Sequence, residues 1–207
     1  MNENQENSNK DLMELHNNSE SNKNSTSQKN THDPKSPDSV DIILSKKGTK
    51  VVDLETLVKE TQKRLWAALK QGYEYESTII DESERFLRDL VSSRINMIVL
   101  YVDLVGSTEI TLSLPEEKVA IIIRSFAQEM SSIIMQHNGY VLKFVGDAVI
   151  GYFVAEAMPL LATDNAVNCA KAMVTVVEKG MNPILNQYDY PELKIKVGMD
   201  FGQNIIV

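Results

Sequence analysis

The sequence Ile95-Asn-Met-Ile-Val-Leu-Tyr-Val-Asp-Leu-Val-Gly-Ser-Thr108 carries the clearest secondary-structure signal in this chain. Its run of large apolar residues is bounded by the polar residues 92–94 before it and by Gly106–Thr108 after it. This pattern predicts a buried β-strand that is covered on both faces. The strand ends close to Asp103, where the chain enters its exit loop. An acid at such a position is either a functional group held on a rigid element or the cap of the following helix.

The composition is typical of a soluble globular protein with one domain and appendages, or with two small domains. The chain has 207 residues, of which 43% are hydrophobic and 24% charged. Its net charge of -8 argues against non-specific binding to nucleic acid or to an anionic membrane. It shows no secretory leader and no apolar run of the roughly 20 residues that a membrane helix needs. The single cysteine, Cys169, excludes an intrachain disulfide, so we expect a cytoplasmic protein without membrane insertion.

The N-terminal part is predicted to be poorly structured. Residues 1–39 contain nine Asn and seven Ser and few apolar residues, which predicts a disordered tail. Residues 40–52 have the pattern of a short hairpin that turns at Lys47-Gly48.

Residues 53–92 contain apolar residues at spacings of three and four, which predicts two amphipathic helices. The first begins at Asp53 and is interrupted at Gly72, and the second runs from about Glu76 to Ser92. Two interpretations remain open. The helices either pack on the domain that follows, or they form a dimer-forming or signal-relaying segment that meets an upstream regulatory partner. In this division, residues 40–92 are a helical segment and residues 93–207 the main domain.

The main domain alternates between strand and helix patterns and predicts an α+β fold, with one sheet and helices on one face. After the first strand we expect a helix that begins at Leu114-Pro115-Glu116-Glu117 and ends at Asn138-Gly139. The remaining predicted elements are a hairpin of Tyr140–Val145 and Ala148–Val154, a helix over 163–179 that starts at Thr163 or Asp164 and stops at Gly180, a strand over 193–201 and a further extended piece over 203–207.

Two acids and one lysine are the candidate functional residues. Asp103 precedes the loop Val105–Thr108, in which Gly106 lets a ligand approach the backbone and the amides that lead into a helix favour phosphate. Asp147 lies at the hairpin turn, where Gly-Asp is also ordinary turn chemistry. The two carboxylates are expected at one edge of the sheet, an arrangement that suits divalent metal ions. Lys143 is either a solvated strand lysine or a hydrogen-bond donor in a ligand pocket.

Three segments of the sequence resemble successive motifs of the class III nucleotidyl cyclases. They are Tyr-Val-Asp-Leu-Val-Gly-Ser-Thr at 101–108, His-Asn-Gly-Tyr-Val-Leu-Lys-Phe-Val-Gly-Asp-Ala at 137–148 and Ile-Lys-Val-Gly-Met-Asp-Phe-Gly at 195–202. Three motifs in the right order make the resemblance specific, and it covers residues 95 to 207. It implies a ferredoxin-like βαββαβ core that forms a head-to-tail homodimer with its active sites at the interface.

The resemblance also implies roles for individual residues. Asp103 and Asp147, with the backbone of Leu104, would hold two Mg²⁺ or Mn²⁺ ions per site. The loop Val105, Gly106, Ser107 and Thr108 would contact the triphosphate. Lys143 matches the lysine of adenylyl cyclases, and because a lysine can only donate hydrogen bonds it favours adenine N1 over the protonated N1 of guanine. The resemblance therefore implies an adenylyl cyclase that converts ATP to cyclic AMP and pyrophosphate, with Lys143 reaching the base from the other subunit.

The sequence departs from the family pattern at its C-terminal end. Family members continue past the position of Val207 with a second base-recognising residue and with the Asn and Arg that stabilise the transition state. We therefore expect a fragment of a longer catalytic domain. The alternative is a non-catalytic nucleotide-binding or dimerisation module with a cyclase fold.

Overall fold

The computed structural model describes residues 53–72 and 80–207, so the predicted tail and the predicted hairpin at 40–52 lie outside the described residues. The elements are α1 (Leu54–Gln71), α2 (Asp81–Arg88), β1 (Arg94–Val105), α3 (Ser107–Ser113), α4 (Glu116–Gln136), β2 (Tyr140–Val145), β3 (Ala148–Val154), α5 (Pro159–Thr175), a π-helical segment (Val176–Met181), α6 (Asn182–Asn186) and β4 (Lys194–Ile205). Helices and antiparallel strands alternate, which confirms the α+β prediction.

The sheet has four strands in the order β2-β3-β1-β4, and every neighbouring pair is antiparallel. Helices α3 and α4 connect β1 to β2, a hairpin joins β2 to β3, and α5 with α6 leads to β4. This connectivity confirms the predicted βαββαβ core. It places the end of β1 beside the β2–β3 turn, because Val102 pairs with Val149 at the start of β3.

The two faces of β1 differ, which corrects the prediction of a strand covered on both sides. Ile98, Leu100, Val102 and Leu104 are buried in the main core beneath α4 and α5. On the other face, α2 covers only the first half of the strand, where Phe86 and Leu90 pack with Ile95 and Met97. Beyond them, Tyr101 is 38% exposed and Val105 is 47% exposed. The sheet therefore carries a helix on each face, and the second half of β1 keeps one open face.

Helix α1 follows its prediction, whereas α2 is shorter than predicted. Asp53 caps α1 by accepting from the amides of Glu55 and Thr56, and Gly72 ends the helix with a φ of 83°. Helix α2 covers only Asp81–Arg88, and residues 73–79 lie outside the described part of the chain. Val91 is 52% exposed because it lies in the turn after the helix.

The helix before β4 is longer than predicted. It begins at Pro159, a residue favoured in the first turn, and Thr163 lies inside it with its hydroxyl donating to the Pro159 carbonyl. The predicted stop at Gly180 is wrong, since the chain continues through the π-helical segment into α6. A Cβ on Gly180 would lie 3.2 Å from Thr61 Cγ2. Gly180 is thus small because α1 packs closely against it, and its presence does not mark a helix end.

The last strand is also longer than predicted. The two extended pieces expected over 193–201 and 203–207 form one continuous strand, β4, that pairs with β1 over its whole length. Gly202 does not interrupt it, because the glycine stays in register opposite Met97. Within residues 53–72 and 80–207, no helix combines the length and the apolar character required to cross a bilayer.

The glycine at the centre of β3, Gly151, is expected to be required for the stability of the fold. A Cβ on Gly151 would lie 2.8 Å from Ile134 Cδ1 and 3.0 Å from the Tyr140 carbonyl oxygen. Gly151→Ala is therefore expected to lower the free energy of unfolding by about 1–3 kcal/mol, the usual cost of overpacking. The measurement is urea denaturation followed by circular dichroism. Gly202→Ala is the matched control, since its Cβ would meet no atom within 4 Å; equal unfolding midpoints for the two variants would contradict the argument.

Candidate active site

Asp103 lies on the open face of β1, directly opposite Lys196 of β4. Its carboxylate forms an ion pair with that lysine, at 2.8 Å between Oδ2 and Nζ. The aspartate side chain is only 15% exposed, whereas the lysine side chain is 66% exposed. Asp103 does not cap the next helix: the cap of α3 is Gly106, and no side chain accepts a hydrogen bond there. The helix-cap interpretation of Asp103 is therefore wrong.

Asp147 lies in the turn between β2 and β3, after Gly146 with its φ of 63°. Its Oδ2 is buried and has no hydrogen-bond partner in the described part of the chain. A carboxylate that served only the turn would be expected to accept a local backbone amide. A buried carboxylate oxygen without a partner is costly unless a cation or a donor reaches it.

The charges of the two aspartates act on the same lysine. The hydrogen bond to Asp103 raises the pKa of Lys196, and the negative charges of Asp103 and Asp147 add to this effect. The strand register places the two aspartates close together, because Val102 of β1 pairs with Val149 of β3, two residues after Asp147. The structure thus brings together Asp103 and Asp147, as the sequence predicts, and adds Lys196.

The sequence prediction gave Lys196 no role. Its signal was present in the alternation of Lys194-Ile195-Lys196-Val197, which places both lysines on one face of a strand. The antiparallel register of β4 against β1 was the missing information. Only that register puts Lys196, and not Lys194, opposite Asp103.

Lys143 reaches the open face of the sheet through a β-bulge. Val141 pairs with Gly151 and Lys143 with Ile150, so Leu142 is an extra residue in β2. A regular strand would put Val141 and Lys143 on the same face, and Val141 is buried in the main core. The bulge turns Lys143 away from that core to an exposed position.

Lys143 is separated from Asp103 of its own subunit by the width of strand β3. Strand β3 lies between β2 and β1, so the two backbones are about 10 Å apart. Within the described ranges 53–72 and 80–207, Lys143 has no ion pair. It is available to a ligand or to a second subunit.

The loop after β1 combines a buried anchor with an open turn. The Leu104 side chain is 4% exposed, which fixes the end of the strand in the core. Val105, Gly106 and Thr108 are exposed and Ser107 is half-buried. Gly106 has a φ of 73°, in the region that favours glycine, and it turns the chain directly into α3.

The donor set fits a divalent metal ion that also binds a ligand with oxygen atoms. Asp103 and Asp147 offer hard carboxylate oxygens, and one of these oxygens is buried and unpartnered. No group of three or more His, Cys, Asp or Glu side chains suited to a metal occurs in the part of the chain that the structure describes. Two carboxylates leave most positions around a Mg²⁺ ion unfilled, so backbone oxygens, water and substrate phosphates would complete its shell.

A comparison with protein families assigns this domain. The family model described as adenylate and guanylate cyclase catalytic domain matches residues 91–206, just over half of the chain. The chain belongs to the class III nucleotidyl cyclases. The matched cyclase domain includes β1 to β4, both aspartates, Lys143 and Lys196, whereas α1 lies outside it.

Relatives and solved structures differ in their named substrates. A cytidylate cyclase from Staphylococcus aureus is 28% identical over 106 residues, which are 51% of this chain and 25% of that protein. The solved adenylyl cyclase CyaB from P. aeruginosa is 27% identical with a TM-score of 0.47, over 54% of this chain and 58% of that one. The solved guanylyl cyclase Cya2 is 23% identical with a TM-score of 0.50, over 55% and 57% of the two chains. The likeness to Cya2 concerns the fold alone.

The family assignment establishes a cyclase domain, but it does not identify the base of the nucleotide substrate. Cyclase domains of this class generally use divalent metal ions, in agreement with the oxygen donors at the end of β1. The matched part spans about a quarter of the S. aureus relative. The family resemblance is confirmed.

Proposed function

We propose that this cyclase domain converts ATP to 3′,5′-cyclic AMP and pyrophosphate. The observation that carries the proposal is the convergence of Asp103 and Asp147 beside one open sheet face, with the Asp147 Oδ2 buried and unpartnered. In the reaction the ribose 3′-oxygen forms a bond to the α-phosphorus. The bond from that phosphorus to the bridging oxygen breaks, pyrophosphate leaves, and the hydroxyl loses its proton.

In this proposal, Asp103 and Asp147, with the backbone oxygen of Leu104, hold two Mg²⁺ or Mn²⁺ ions. When bound, such ions favour ionisation of the 3′-hydroxyl and neutralise the charge that develops on the phosphates. Burial of the Leu104 side chain keeps the end of β1 rigid, so that Asp103 is held in a fixed orientation. The exposed turn Val105–Thr108 leaves backbone amides accessible to the triphosphate.

Lys143 is proposed to recognise the base in a second copy of the chain. A lysine donates hydrogen bonds and accepts none, so it pairs with the unprotonated ring nitrogen of adenine. Its separation from Asp103 of its own subunit, across strand β3, favours a homodimer in which each site takes Lys143 from one protomer and the aspartates from the other.

CTP is the second candidate substrate. The S. aureus relative is named a cytidylate cyclase. Cytosine, like adenine, presents an acceptor ring nitrogen beside an amino group, so the chemistry of Lys143 suits both bases. Guanine and uracil carry a proton on the corresponding nitrogen and fit a lysine less well.

The test is a panel of ATP, CTP, GTP and UTP, each supplied with Mn²⁺ to the full-length protein. We expect cyclic AMP as the main product, with product formation from GTP and UTP lower by at least about tenfold, the factor that one hydrogen bond in a base pocket contributes. A main product of cyclic CMP would select the second candidate. No cyclic product from any nucleotide, although the protein binds an ATP analogue, would favour the non-catalytic module.

Lys143→Glu tests the base assignment. A carboxylate accepts hydrogen bonds and repels an acceptor nitrogen, so the ratio of ATP to GTP turnover is expected to fall about tenfold or more. Lys171→Glu, an exposed residue on α5, makes the same change of charge away from the sheet face and serves as the control. An unchanged ratio in the Lys143 variant would exclude contact with the base.

A further inference from the structure

Lys196 occupies the place of a cation at the acidic pair. Its ammonium group lies 2.8 Å from Asp103 Oδ2, and the cross-strand register between β1 and β4 keeps the two residues opposite each other. The turn that carries Asp147 lies beside the same end of β1, because Val102 pairs with Val149. One flexible side chain thus neutralises part of a site that holds two carboxylates.

The ion pair and a divalent ion compete for the same carboxylate. A divalent ion within coordination distance of Asp103 would lie only a few ångströms from the lysine nitrogen, and the two positive charges repel each other. The lysine side chain is 66% exposed, so it can swing into solvent with little loss of packing. The aspartate is 15% exposed and anchored on β1, so it remains while its partner changes.

We propose that Lys196 is a resident counter-ion that holds Asp103 in the metal-free protein and must be displaced when a divalent ion binds. The inference rests on the proposed metal role of Asp103. It makes Lys196 a positioning residue that sets the affinity of the site for a divalent ion. In the metal-free protein, the lysine keeps the carboxylate oriented and reduces repulsion between Asp103 and Asp147. In the loaded protein, that stabilisation is lost and the metal replaces it.

Two lysines of β4 allow a matched experiment. Lys196→Gln removes the counter-ion, and Lys194→Gln removes the same charge from the same face of the same strand, opposite Val105 instead of Asp103. Mn²⁺ binding is measured without nucleotide by titration with electron paramagnetic resonance of the free ion. Thermal denaturation of the metal-free proteins is the second readout.

Opposite effects on the two readouts are expected for Lys196→Gln. Relative to Lys194→Gln, its Mn²⁺ affinity is expected to rise about two- to fivefold, the factor by which a partly exposed ion pair competes. Its melting temperature without metal is expected to fall by about 1–3 °C. A purely structural role would lower the melting temperature and leave the affinity unchanged.

Equal Mn²⁺ affinities for the two lysine variants, or weaker binding by Lys196→Gln, would overturn the counter-ion role. Asp103→Asn is included to separate this failure from failure of the metal site itself. If Asp103→Asn binds Mn²⁺ as tightly as the wild type, the metal role of Asp103 falls, and the counter-ion proposal falls with it. If Asp103→Asn loses binding and the lysine variants stay equal, only the counter-ion proposal is wrong.

Discussion

Asp103→Asn is expected to lower the rate of cyclic nucleotide formation by more than about a hundredfold at saturating Mn²⁺ and nucleotide. Asparagine has nearly the shape of aspartate but no negative charge, so it binds a divalent ion weakly and stabilises less of the charge that develops during displacement. Losses of this size are common when a preorganised electrostatic contact to a reacting group is removed. The measurement is initial-rate formation of the cyclic nucleotide by the full-length protein, followed by chromatography.

The control for Asp103→Asn is Asp164→Asn. Asp164 is exposed on α5, in the helix layer on the other side of the sheet, and should leave the rate within about twofold of the wild type. Both variants should retain a cooperative thermal transition, because Asp103 pairs with an exposed lysine and is not part of the hydrophobic core. Equal rates for Asp103→Asn and the wild type would refute the metal role of Asp103.

The sequence predicted the acidic pair because its positions follow from short-range signals. The run of apolar residues in β1 marks a strand, and Gly146-Asp147 marks a hairpin turn, so both carboxylates could be placed at element ends. Their convergence followed from the expectation that the hairpin pairs beside the strand that ends near Asp103. The structure adds that the Asp147 Oδ2 is buried and that the Asp103 Oδ2 is paired with Lys196. Neither property could be predicted from neighbouring residues in the sequence.

The positions of Lys143 and Lys196 in the site could not be predicted from the periodicity of the sequence. The bulge at Leu142 places Lys143 on the opposite face of the sheet from Val141. The alternation of residues in β2 does not indicate this extra residue. Lys196 becomes part of the site only through the register between β1 and β4, which joins residues distant in the sequence. A shift of that register by one residue would turn the lysine to the other face.

Gly180 shows how one local signal can have two causes. A glycine after an apolar periodic segment predicts a helix end, and the same residue is required wherever a second helix packs closely. Only the position of α1, with Thr61 against the glycine, distinguishes the two. The contact shows that α1 packs on the cyclase domain, as the first of the two sequence interpretations expects. A signal-relaying role for residues 53–92 remains a proposal.

The contact between α1 and the cyclase domain includes a buried ion pair. Glu129 of α4 has a side chain that is 3% exposed. It accepts hydrogen bonds from the Thr61 hydroxyl at 2.6 Å and from two nitrogens of Arg64 at 2.7 Å each. The hydrogen bond to Glu129 raises the pKa of Arg64. A bidentate ion pair of this kind has a specific geometry. Removing one partner leaves a buried charge unpaired, which lowers the free energy of unfolding.

Arg64→Met is therefore expected to lower the free energy of unfolding by about 3 kcal/mol or more. The substitution leaves the Glu129 carboxylate buried with Thr61 as its remaining side-chain partner, and an uncompensated buried charge costs more than the pair contributed. Urea denaturation of the protein, followed by circular dichroism, measures the decrease in the free energy of unfolding. Lys59→Met is the matched control on the same helix, since its pair with Glu55 is exposed on both sides and contributes less than about 1 kcal/mol.

The double variant Arg64→Met/Glu129→Met separates the buried charge from the lost contact. Removing both charges lets apolar side chains fill the site, so this variant should be more stable than Arg64→Met alone. A double variant as unstable as the sum of the two single variants would instead show that packing, and not charge, holds α1 in place. Because α1 precedes the matched residues 91–206, a chain that began at residue 91 would lose Arg64 and leave Glu129 unpaired. The smallest stable cyclase unit is accordingly expected to include α1, and truncation at residue 91 should destabilise the fold at least as much as Arg64→Met does.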